Sequence, residues 1–158
     1  PNNIEFHLIG HLQSNKINKA ISLFDVIQTI DSLALAKKIN NVCIKNNKTQ
    51  RIYIQINSGG DPLKHGFSID EAVDIAQEIQ VFSNLSIEGV MMIPPFLDIN
   101  DDYRAIFTKT KKVQLEIFNS GIKSCINLSM GMSRDYEIAI EEGATHIRIG
   151  TALFGKRT

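Results

Sequence analysis

Two glycine-bearing stretches near the end of the chain carry the residue types that grip a phosphate. Ser129-Met130-Gly131-Met132-Ser133 follows a short apolar segment, Ser124–Leu128, and opens onto a helix begun by Arg134-Asp135. Gly150-Thr151 follows a second apolar segment, Thr145–Ile149, and leads into Ala152-Leu153-Phe154-Gly155. Hydroxyls and backbone N–H groups at helix starts hold a dianion without a lysine. Ser129, Ser133, Gly150 and Thr151, with the amides of Met130, Gly131 and Met132, are therefore the candidate anion ligands. Ser133 also suits an ordinary helix cap, a role compatible with the first because both use the same helix start. The thioethers of Met130 and Met132 read as packing groups. Along Thr145–Gly150 side chains alternate, so His146 and Arg148 share one face. Arg148 is either a positive fork facing the site or half of an interior ion pair, and both readings stand.

Other polar residues sit at segment ends. Asn57 closes an apolar run, where it serves either a ligand or its own turn. His7 and His11 share a face with Ile9; both read first as satisfied core histidines, with His7 kept as a candidate pocket residue. Asn15 and Lys16 fit a pocket rim, and Lys64-His65-Gly66 a lid or exposed turn. No second histidine or carboxylate stands at helical metal spacing from either, so no metal site is expected. Cys125 reads as a small buried hydrophobe.

The elements that must position these groups alternate in type. Apolar strands are predicted over Ile4–Ile9, Phe24–Thr29, Arg51–Ile56, Leu85–Met92, Ser124–Leu128 and Thr145–Ile149. Between them lie a short segment Ile17–Ser22 and a helix Leu33–Lys45 with Leu35, Ile39 and Val42 on one face. A helix capped by Ser68 runs to about Gln80, and a long one, Asp101–Ser120, turns Ile106, Val113 and Ile117 inward and ends at Gly121. Six strand-plus-helix units at this spacing make a parallel sheet wrapped by helices. No G-x-G-x-x-G follows any strand, which removes the dinucleotide fold. A phosphate grip on the last two strands favours an α/β barrel, whose eight strands exceed these six; two units are expected before Pro1.

Composition narrows the partners. The 158 residues carry 17 Lys plus Arg and 17 Asp plus Glu, a net charge of zero. With no basic patch, nucleic acid is not an expected partner. No apolar run approaches a membrane span, no signal-like start is present, and the two cysteines are too few for a disulfide framework or a zinc site. A cytoplasmic protein is expected.

Several motifs in order resemble a known family. Phe6-His7-Leu8-Ile9-Gly10-His11-Leu12-Gln13-Ser14-Asn15-Lys16 resembles the F/W-H-x-I-G-x-L-Q-x-N-K signature of the pyridoxal phosphate homeostasis proteins, which are related to the N-terminal barrel of alanine racemase. Ile54–Asn57 with Lys64–Phe67, Gly89–Met92, Leu128–Asp135 and Arg148–Gly155 resemble its Q-V-N…K-x-G-F, G-L-M, L-S-M-G-M-S-x-D and R-I-G-T-A-I-F-G segments. The resemblance spans essentially the whole chain. It implies a (β/α)8 barrel of the alanine racemase N-terminal type, with residues 1–158 supplying strands three to eight. It also implies pyridoxal 5′-phosphate as cofactor, with Arg148 donating to the pyridine nitrogen. The family's covalent lysine stands in a V-S-K-like segment that does not occur here, so no catalytic residue is nominated. The expected function is cofactor holding for intracellular homeostasis, with PLP-dependent apoenzymes as possible recipients and a monomeric state. The alternative is an amino-acid racemase-like enzyme, which would need two bases.

Overall fold

A computed structural model describes residues 4–60, 64–97 and 100–155. Six strands alternate with helices: β1 (His7–Leu8), α1 (Ile17–Leu23), β2 (Val26–Ile30), α2 (Leu33–Lys45), β3 (Gln50–Gln55), α3 (Ala72–Gln80), β4 (Leu85–Met91), α4 (Asn100–Asn119), β5 (Asn127–Met132), α5 (Tyr136–Glu141), β6 (His146–Arg148) and α6 (Thr151–Phe154). All strand pairs are parallel and neighbours in sequence are neighbours in the sheet, in the order β1 to β6.

The strand pleat divides the molecule into two cores. On β3, Ile52 and Ile54 point outward and pack beneath the helices with Ile39, Ala76 and Phe107. Tyr53 points the other way and forms a separate inner cluster with Val26 and Met91. The inner face is otherwise polar. Ser129 on β5 donates from Oγ to Oε1 of Gln28 on β2 at 2.6 Å, across strands that are not neighbours. Such a bond requires the sheet to curl, so the fold is a curled six-stranded parallel α/β arc. At one rim Arg51 pairs with Glu88 at 2.7 Å and also with Glu5, closing the inner face with charge.

Local signals account for most boundaries. Ser32 caps α2 by accepting from Leu35 N at 3.3 Å, and Leu35, Ala36, Ile39 and Cys43 form its buried stripe. Ser68 accepts from Glu71 N and donates to its carboxylate, but α3 begins only after this turn, at Ala72. The first strand shrinks to His7–Leu8 because it pairs on one side only, while the Phe6 carbonyl serves the amides of Asp25 and Val26. The fifth shifts forward: Asn127, Leu128 and Ser129 pair with Gly89, Val90 and Met91, drawing Ser129–Met132 out of the expected loop and into the strand.

Gly89 makes that pairing possible. A Cβ there would stand 2.6 Å from the Asn127 carbonyl oxygen and 2.8 Å from its Cβ. Gly89→Ala is expected to lower stability by about 2 kcal/mol, since overpacking costs roughly 1–3 kcal/mol. Urea unfolding with unchanged m-value checks this; a midpoint equal to the parent's would refute the close approach.

Candidate functional site

The loops after β4, β5 and β6 enclose a cleft of about 870 Å³, within the range of small-molecule sites. Met132 and Ser133 from the first candidate stretch and Gly150 and Thr151 from the second both line it. The two are tied together: Ser133 Oγ accepts from Ala152 N at 3.1 Å. Asp135, 5% exposed, fixes the β5 loop by accepting from Met132 N at 2.6 Å. Lys64 and Arg134 bring positive charge to the wall. The Lys64 ammonium donates to the Pro94 carbonyl at 2.8 Å, and the Arg134 guanidinium lies over the Phe96 ring.

Not every candidate reaches the cleft. Ser129 is fully buried, and its hydroxyl is consumed inside the curl between Gln28 and Arg148. It lies inside the curl and not on the cleft wall, because the lengthened β5 turns it inward. Met130 is likewise fully buried and packs as expected, whereas Met132 is 42% exposed on the cleft wall and does not. Gly131 packs beneath α5 with φ +92, where a Cβ would meet Ala139 Cβ at 2.5 Å. Asn57 borders a different hollow beside Ser68 and Lys109, and its side chain reaches the Lys64 carbonyl at 3.5 Å. Lys16 lines a third, apolar hollow beside Leu12 and Ala20.

His7 faces the interior as a satisfied histidine. Its Nδ1 lies 2.7 Å from Gln28 Nε2 and its ring 5.6 Å from that of His146. It connects to the site only through others: His7, Gln28, Ser129 and Arg148 form one hydrogen-bonded chain. Gln28 was not singled out in the sequence. Its signal was a long amide within the mostly apolar VIQTI, a placement that demands a buried partner. Burial also holds the His146 imidazole below its ordinary range, the His7 charge adding to it.

Arg148 is the most informative residue. Nη1 donates to Ser129 Oγ and Nη2 to the Met92 carbonyl, both at 2.8 Å. Among the described residues no carboxylate lies within ion-pair distance of it. Burial lowers its pKa to about 10, with only a distant pull from Asp135 in the other direction. The interior ion-pair reading therefore does not describe it. Cys125 is buried beneath β5, its thiol pushed up to about 12 by desolvation, and is chemically quiet.

Comparison with known proteins follows the same residues. The family model for the N-terminal domain of alanine racemase matches residues 3–158. The pyridoxal phosphate homeostasis protein of Aquifex aeolicus is 38% identical over 154 residues, 98% of this chain and 68% of that one. The chain thus spans about two thirds of that relative. A Bifidobacterium adolescentis crystal structure superposes with TM-score 0.93 at 38% identity, over 96% of this chain and 61% of the other. The PipY protein of Synechococcus elongatus with PLP bound does so with TM-score 0.86 at 31% identity, over 96% and 71%. Among the described residues no helix is long and apolar enough to cross a membrane.

Proposed function

This chain belongs to the alanine racemase N-terminal domain family and, within it, to the pyridoxal phosphate homeostasis proteins, and from that premise we propose that it binds pyridoxal 5′-phosphate and serves homeostasis of that cofactor. The observation that carries the reading is the half-buried Arg148 guanidinium, which among the described residues has a hydroxyl and a carbonyl but no carboxylate as partners. A cation partly withdrawn from water without a counter-charge is costly, and such groups gather where a ligand supplies the acceptor. Arg148 stands opposite Met132 in the ladder and two residues before Gly150, and both of those line the cleft.

The residues present fit the group. Ser133, Gly150 and Thr151 would hold its phosphate, and Arg148 its ring side. When bound, the cofactor supplies an aldehyde reactive toward amines and an electron-accepting ring. Arginine keeps its own protons, so a ring nitrogen facing it would stay unprotonated and the ring would be a weak electron sink. The arc is read as strands three to eight of an eight-stranded barrel, supported by β1 and β6 each pairing on one side only among the described residues. PLP-dependent apoenzymes are the proposed recipients, with a monomer as the working unit in the cytoplasm.

Equilibrium dialysis of the intact protein tests the assignment. Ser133→Ala and Thr151→Ala are each expected to weaken pyridoxal 5′-phosphate by about tenfold or more, the value of one charge-assisted hydrogen bond. Pyridoxal, which lacks the phosphate, should bind weakly and respond to neither change. Equal affinity for the two vitamers would remove the phosphate grip, and optical inversion of added alanine would favour a racemase instead.

A further inference from the structure

Apart from the cleft, the ends of the first three strands bring together two imidazoles and a carboxylate. His11 follows β1, Asp31 follows β2, and His65 lies beyond β3. Nδ1 of His11 and Nδ1 of His65 each stand 3.2 Å from the same atom, Asp31 Oδ2. All three donor atoms lie within 4.8 Å of one another. The two rings stack with centroids 4.3 Å apart. Helical spacing along the sequence does not reveal this set, because a parallel sheet gathers loop residues that are distant along the chain.

The carboxylate is the unusual member. The Asp31 side chain is 8% exposed, and its Oδ2 is buried yet makes no aligned hydrogen bond. A buried carboxylate oxygen left unsatisfied is costly, and two nitrogens at 3.2 Å without hydrogen-bond alignment do not repair it. The spacing suits another partner. Two ligand atoms on a tetrahedral ion with bonds of about 2.0–2.1 Å stand about 3.3 Å apart. Two imidazoles with one carboxylate select borderline cations, whereas magnesium and calcium take oxygen sets. We propose that His11, Asp31 and His65 form a binding site for a divalent cation of the zinc type, with water completing its coordination. The two half-exposed imidazoles leave the outer side open to solvent. This inference stands independently of the cofactor reading. A cation there fastens the Lys64–His65 loop, which also walls the cleft, to the ends of β1 and β2.

The test uses the intact, untagged protein, stripped with a chelator and titrated with Zn²⁺ alone by calorimetry; Co²⁺ reports geometry through its visible bands. One equivalent is expected to bind. Asp31→Asn and His65→Gln should each weaken it by about 100-fold or more, since even outer partners of a metal cost 10–100-fold. His65 sits on an exposed loop, so its variant keeps the fold, which circular dichroism verifies. Cys43 and Cys125 are buried and do not compete. Absence of saturable Zn²⁺ binding, or binding that persists unchanged in both variants, would overturn the site and leave an ordinary charge cluster.

Discussion

Replacing Arg148 with methionine is expected to weaken pyridoxal 5′-phosphate about 100-fold while leaving the unfolding free energy within about 1–2 kcal/mol of the parent. The two effects separate for a physical reason. A half-buried guanidinium held by a hydroxyl and a carbonyl, with no carboxylate near among the described residues, pays a desolvation cost that those two bonds do little more than offset. Methionine removes that cost along with the bonds. Ser129 keeps its bond to Gln28 at 2.6 Å, so the Met92 carbonyl alone loses its donor, worth about 1 kcal/mol. The ligand, by contrast, would lose the charged hydrogen bond proposed on its ring side, about 1.5–3 kcal/mol. Dialysis and urea unfolding on the same preparation read both. A stability loss above about 3 kcal/mol with unchanged affinity would mark Arg148 as a structural strut.

Gly131→Ala is the substitution expected to cost most in stability, about 3 kcal/mol. Its φ of +92 is a conformation that side chains rarely adopt, a penalty of roughly 1–2 kcal/mol. The added methyl would also meet Ala139 Cβ at 2.5 Å and Tyr136 Cα at 3.1 Å, lifting α5 from β5. Overpacking of that kind adds about 1–3 kcal/mol. Gly121→Ala separates the two contributions, since φ there is +113 but nothing lies within 4 Å; it should cost only the backbone part. Because Met132 and Ser133 follow directly, cofactor affinity should fall in Gly131→Ala and not in Gly121→Ala. Equal midpoints for the two variants would refute the close helix approach.

The cleft residues were legible in unequal degree. Ser133, Gly150 and Thr151 follow strand ends, and a strand end in a parallel sheet opens onto the ligand face whatever the details of packing. Ser129 looked equivalent by type and neighbourhood. Its fate depended on how far β5 continues its ladder with Met91, which is a property of two segments and not of one. Gln28 hid for a related reason: a buried amide reads as an exception until its partners, here His7 and Ser129, are known.

The sequence alone determined the alternation of strands and helices, the helix face of Leu35 and Ile39, the hydroxyl and glycine content of the last two loops, and the family motifs. These are local: periodicity and turn chemistry act within a few residues and survive any rearrangement further away. Only the tertiary structure decided that Ser129 faces the floor, that Arg148 has a carbonyl and a hydroxyl in place of a carboxylate, and that His11, Asp31 and His65 converge. Those depend on ladder register and on the curl of the sheet, both set by contacts between segments far apart in the chain.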